Sequence, residues 1–124
     1  MKSDEQMVAS VQAYVDGFNR KDPAAVVRLF ATKAVLEDPV GTPQRRGLDE
    51  IRAFYTSAME TGAKLSLDGP VRTAGNSAAF AFSVRLAMGG RAHQIDVIDL
   101  FAFDDDGKIV DMRAFWGPRN VHEV

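Results

Sequence analysis

The chain contains no cysteine, so neither a disulfide framework nor thiolate chemistry is open to it, and the absence fits a reducing cytoplasm. It also lacks a run of like charge. Fifteen Lys and Arg stand against seventeen Asp and Glu, a formal net charge of −2, which leaves no electrostatic footprint for nucleic acid or an anionic membrane. No apolar stretch approaches the length of a membrane span, and the opening Met-Lys-Ser-Asp-Glu-Gln is polar where a signal peptide needs an apolar core. Internal repeats, low-complexity tracts and linkers are missing too. Histidine is scarce: His93 falls near a hairpin end and His122 in the last few residues, both expected to be exposed and neither spaced with carboxylates as a metal site requires. There is no HxxxH, CxxC, GxSxG, P-loop or dinucleotide fingerprint, so covalent catalysis, phosphate binding and a bound cofactor or metal have no support. The expectation is a single cytoplasmic domain spanning 1–124.

What is present suffices for a core. At 124 residues, 46% of them hydrophobic, a chain of this size buries roughly two-thirds of its unfolded surface. The most telling stretch is Arg91-Ala-His-Gln-Ile-Asp-Val-Ile-Asp-Leu-Phe-Ala-Phe103, preceded by Gly89-Gly90 and closed by Asp104 to Gly107. Its β-branched and aromatic residues predict a long strand. Alternation puts Ile95, Val97, Asp99, Phe101 and Phe103 on one face. Asp99 thus stands among apolar neighbours. An unpartnered carboxylate there would cost many kcal/mol, and the usual escape is a raised pKa and a retained proton. A neutral carboxylic acid is a strong hydrogen-bond donor; the plainer alternative is a strand-end Asp paired with an Arg or capping a loop.

Helical spacing dominates the first half. A helix is predicted from about Asp4 to Arg20, capped by Ser3 with Gln6 and carrying Val8, Val11, Val15 and Phe18 as its apolar stripe, with Tyr14 at the border. Asp22-Pro23 restarts a short helix. Ala34 to Asp38 reads as a brief strand with Ala34, Leu36 and Asp38 facing one way, stopped at Pro39. Arg45-Arg46-Gly47 reads as a solvated loop, and Leu48 to Thr61 as a third helix with Ile51, Phe54, Tyr55, Ala58 and Met59 apolar. Beyond Lys64 the period changes. Segments near 64–73, 77–88, 91–103 and 108–117 alternate, with Phe80, Phe82, Val84, Leu86 and Met88 aligned on the second and Val110, Met112, Ala114 and Trp116 on the last. Three helices followed by long hairpin-connected strands is the α+β pattern: a curved antiparallel sheet packed on helices, with a cavity between them.

Three polar side chains are expected to face that cavity: Tyr14, Asp38 and Asp99. The other inward positions, including Phe18, Phe54, Phe80, Phe82, Val84, Val97, Met112 and Trp116, are apolar or aromatic. Such a lining suits a hydrophobic ligand with few polar groups. Tyr14 as a buried donor to a carbonyl and Asp38 as a turn cap remain the plainer readings of those two.

Glu37-Asp38-Pro39-Val40-Gly41, Gly47 with Ile51 and Phe54-Tyr55, Val97-Ile98-Asp99 and Met112-Arg113-Ala114 together resemble the bacterial ketosteroid isomerases, over nearly the whole chain. The resemblance implies the cone-shaped fold of the nuclear transport factor-like superfamily (cystatin-like, also called SnoaL-like), a homodimer, no cofactor and a steroid substrate. It also implies roles, which come from that family's known pattern and not from periodicity: Asp38 as general base, with Tyr14 and a protonated Asp99 as donors to the oxyanion. By the same resemblance Tyr55 hydrogen-bonds Tyr14, Trp116 lies near the base, and Phe30 stands where some members carry another tyrosine. The same fold also hosts polyketide cyclases, small dehydratases and binding modules, so these remain open.

Overall fold

The computed structural model describes residues 2–124. Its elements run α1 (Asp4–Asn19), α2 (Pro23–Val27), β1 (Phe30–Glu37), β2 (Arg45–Arg46), α3 (Leu48–Glu60), β3 (Lys64–Leu67), β4 (Arg72–Ala74), β5 (Ser77–Met88), β6 (Arg91–Phe103), β7 (Ile109–Phe115) and, after a 3₁₀ turn at Pro118–Asn120, β8 (Val121–Glu123). Among the described residues the strands form one sheet in the order β2-β1-β7-β6-β5-β3, with β4 added to β5 and β8 to β6. The α+β architecture is the expected one. The sheet is mixed rather than wholly antiparallel, because β1 runs parallel to β7; α3 and the β3–β6 strands lie between them in sequence, which gives the crossover length that a parallel pair requires.

The spine is the β5–β6 hairpin, paired without a break from Ser77↔Ala102 to Met88↔Arg91. Gly89 and Gly90 turn it with φ of +60° and +78°; positive φ at both central positions matches the twist of the flanking strands, and glycine adopts it without strain. The free edge of β6 is shared, with β7 paired along 98–103 and β8 along 93–95. Curled in this way, the sheet presents Phe80, Phe82, Val97, Asp99 and Phe101 to the helices, all of them buried.

Helix α1 begins with the expected capping box: Ser3 Oγ accepts from the Gln6 amide at 3.1 Å and the Ser3 amide donates to Gln6 Oε1 at 2.9 Å. Its buried stripe is rotated slightly from the expected one. Met7 is fully buried and Val8 is 42% exposed, because 7, 11, 14, 18 and 8, 11, 15, 18 are both helical ladders and only the packed sheet selects between them. In β7 the buried residue is Ile109 and Val110 is exposed; a bulge opposite Ala102/Phe103 breaks the alternation at that point. The segment at 64–73 divides into β3 and β4, and Arg45-Arg46 forms a short strand on β1, pairing Leu36↔Arg45 and Val35↔Arg46, where a loop was expected.

Candidate active site

Helix α1 lies across the concave face of the sheet, and its one-turn spacing puts Tyr14 and Phe18 on the same side. Tyr14 is buried, its ring edge-on to Phe101 at 5.1 Å between centroids and to Tyr55 at 5.7 Å. The two phenols meet at 3.0 Å between oxygens, which brings Tyr55 of α3 to the Tyr14 hydroxyl. Burial pushes both phenols well above the usual tyrosine range; they stay protonated at neutral pH and available as donors.

Asp99 has no exposed surface, and neither carboxyl oxygen has a hydrogen-bond partner. Cross-strand it faces Phe80 on β5 and Ala114 on β7, so neither an arginine nor a loop amide reaches it. The structure thus removes the plainer reading of this residue. Burial, with a smaller contribution from the charge of Asp38, pushes its carboxyl well above the carboxylate range. A neutral acid there retains a donor hydrogen with nothing in the protein to receive it.

Asp38 follows β1 directly. Its Oδ1 accepts from Trp116 Nε1 at 2.8 Å, which puts the indole beside the expected base. Burial raises its pKa, opposed by the Trp116 hydrogen bond and by the positive charge of Arg45. Both carboxyls are therefore displaced upward. They differ in degree and in cause: Asp38 has a donor and a cation to hold a negative charge, while Asp99 has neither.

Between these groups lies a cavity of about 220 Å³. Tyr14 and Phe18 line it from α1, Phe54 and Tyr55 from α3, Phe82 and Val84 from β5, Val97 from β6, with Asp38 and Trp116 on the remaining wall. Phe80 and Met112 are each 1% exposed and pack behind this lining; Phe80 is edge-on to Tyr14 at 6.3 Å and to Phe101 at 5.0 Å. Asp99 is likewise behind the lining, close enough to raise the pKa of Tyr14. Leu65, Leu86 and Ile95 also contribute to the wall. Strand alternation signalled two of them, since Leu86 continues the Phe82–Val84 row and Ile95 the Val97–Asp99 row, but none of the three was singled out from the sequence as a wall residue. His93 and His122 do not reach the cavity. Among the described residues, no group of three or more His, Asp and Glu side chains could hold a metal ion.

An apolar slot with the Asp38 carboxyl on one wall, the Tyr14 phenol in its lining and the Asp99 carboxyl buried behind that lining brings together the kinds of group that move a proton and stabilise negative charge on an oxygen. Comparison with known proteins bears on which molecule. Residues 11–112 match the model of the SnoaL-like domain family. A steroid Delta-isomerase from Nocardioides simplex is 40% identical over 117 residues, 94% of each chain. A solved structure of SalBIII, described as an epoxide hydrolase/cyclase-like enzyme with a role in pyran ring formation in the polyether salinomycin, superposes over the full length of both chains with a TM-score of 0.92 at 26% identity.

Proposed function

Since the chain belongs to the SnoaL-like domain family, we propose that it is a steroid Delta-isomerase, converting 3-oxo-Δ5 steroids to their conjugated Δ4 isomers. The observation that carries this reading is Asp99, a fully buried carboxyl with two unpartnered oxygens beside the Tyr14 phenol. A buried polar group without a partner costs about 1–3 kcal/mol, and a ligand oxygen would supply the missing acceptor. Asp38 removes the proton from the carbon between the ketone and the alkene. The electron pair moves through the alkene onto the ketone, and the resulting dienolate oxygen accepts hydrogen bonds from Tyr14 and Asp99. Asp38 then returns the proton two carbons further along. Charge moves from one carboxylate to the substrate oxygen and back, so no outside reagent is consumed.

Trp116 holds one oxygen of Asp38 and leaves the other for the substrate, while Tyr55 orients the Tyr14 hydroxyl. Phe54, Phe82, Val84 and Val97 provide flat apolar walls for fused rings. A homodimer is part of this reading, supported by the outer face of the sheet, where cross-strand neighbours Ile98 and Phe115 are 52% and 47% exposed; such a patch commonly marks an association surface. A cytoplasmic location is likewise part of it. Among the described residues no helix is long and apolar enough to cross a membrane.

The likeness to SalBIII favours one rival, a cyclase that uses the same acid and base on an epoxide. Absorbance separates the two. A 3-oxo-Δ5 steroid incubated with the purified protein develops the ultraviolet band of a conjugated enone if the isomerase reading holds. No band above the rate of a protein-free control, with the folded state verified, would sink it.

A further inference from the structure

Arg45 was expected in a solvated loop, yet the structure puts it on a short strand, against the ring of a residue that lines the cavity. Its strand β2 pairs with β1 in the register Leu36↔Arg45, two residues before Asp38. Its guanidinium carbon lies 5.1 Å from the centre of the Phe54 ring, and Phe54 lines the same cavity as Asp38. Nη1 donates to the Pro43 carbonyl at 3.1 Å, and among the described residues no carboxylate lies within ion-pair distance of it. A half-buried cation stacked on an aromatic face and left without an acid has been partly stripped of water, so its field reaches further than that of a free surface arginine.

We propose that Arg45 is a positioning residue for the base: its guanidinium, pinned to Phe54 beside the end of β1, supplies the counter-charge that keeps a largely buried Asp38 ionised and ready to accept a proton. The claim rests on the reading of Asp38 as the base. The other groups turned toward Asp38 do not supply a cation. Burial pushes Tyr14 from α1, Tyr55 from α3 and Asp99 from β6 toward their neutral forms, and none of the three can carry a positive charge; Trp116 beyond β7 gives a hydrogen bond without a net charge. Arg113 pairs with Asp111 and lies opposite Glu37, whose carboxylate accepts from Gly41 and Gln44. Arg45 is the cation whose charge opposes burial at Asp38.

The test reads the carboxyl directly. In the ligand-free protein with ¹³C-labelled aspartate carboxyls, the Asp38 resonance is titrated in the native chain, in Arg45→Gln and in Arg45→Lys, at low and high salt. The glutamine variant is expected to titrate roughly 0.5–1 pH unit higher, the lysine variant close to native, and added salt is expected to shrink the difference. With a 3-oxo-Δ5 steroid, kcat/KM of Arg45→Gln should fall progressively below native as pH is lowered, its acid limb displaced by the same interval. An unmoved Asp38 midpoint in Arg45→Gln, or an equal displacement in Arg45→Lys, overturns the proposal. Enone formation by the native protein is scored separately. Its absence overturns the isomerase reading and with it the role of Asp38 as base, while the NMR titration alone decides whether the two charges are coupled.

Discussion

Replacing Asp99 with asparagine should make the protein more stable and a worse catalyst, and the two effects have one cause. The carboxyl is fully buried with no partner on either oxygen, and its pKa lies well above the carboxylate range because of burial. In the unfolded chain the same group titrates near 3.9. Between that value and the raised folded value, the native state holds a proton that the unfolded state has released. Stability therefore falls as pH rises, with a slope of up to about 1.4 kcal/mol per pH unit for one proton. Below about pH 4 both states are protonated and this penalty disappears. Asparagine has nearly the same shape and does not titrate, so its stability relative to the native protein should be lowest near pH 4 and rise toward pH 8, by up to about 1.4 kcal/mol for each pH unit. Turnover should move the other way. Loss of one oxyanion donor costs about 2.7–4 kcal/mol, or 10²–10³ in kcat, tempered here because the amide still donates a weaker hydrogen bond. Urea unfolding at pH 4, 6 and 8, with enone absorbance on the same preparations, measures both. Equal native and variant stabilities at every pH would refute the desolvated, protonated carboxyl. Parallel losses of stability and activity would refute it as well, since they describe damaged packing.

Three further outcomes follow from the site and the outer face. Asp38→Asn should lower turnover by at least the same 10²–10³ as loss of an oxyanion donor while leaving affinity for a steroid product within severalfold, measured by fluorescence of the single Trp116; loss of both together would assign the residue to folding. Trp116→Phe removes the donor that Asp38 accepts at 2.8 Å, so the acid limb of kcat/KM should rise by roughly 0.5–1 pH unit; unlike the effect of Arg45, this shift should persist at high salt, and a salt-sensitive shift would contradict it. Ile98→Glu with Phe115→Lys should convert a sedimenting dimer to monomer without unfolding it, because both side chains lie on the exposed face; a native chain that already sediments as a monomer at micromolar concentration would exclude this surface as the interface.

Much of the fold was legible because its two periods are uncluttered. A capped 3.6-residue repeat fills the first half and uninterrupted alternation fills β5 and β6, so element types, their order and the inward rows follow from local pattern alone. The site was legible to the extent that these rows carry it. Tyr14 on α1, Asp38 beyond β1 and Asp99 on β6 each occupy an inward position that spacing identifies. The convergence of Asp38, Tyr14 and Trp116 on one cavity, with Asp99 buried behind its lining, is a property of the folded sheet. Where two patterns were equally regular, as with Met7 and Val8, or where a bulge changed the phase, as at Ile109 and Val110, no local signal could decide.

By itself the sequence determined which chemistries are available: phenols and carboxyls in an apolar setting, with no thiol and no clustered ligands. It also determined which face of each element would carry them. Only the tertiary structure decided which carboxyl would have help in bearing a charge. Trp116, just beyond β7, and Arg45, on β2, come to Asp38 from 78 and 7 residues away along the chain, while Asp99 receives only Phe80 and Ala114 across the sheet. Ionisation depends on solvent and neighbouring charge within a few ångströms, and those neighbours are assigned by sheet register, which the spacing of residues along a single strand does not contain.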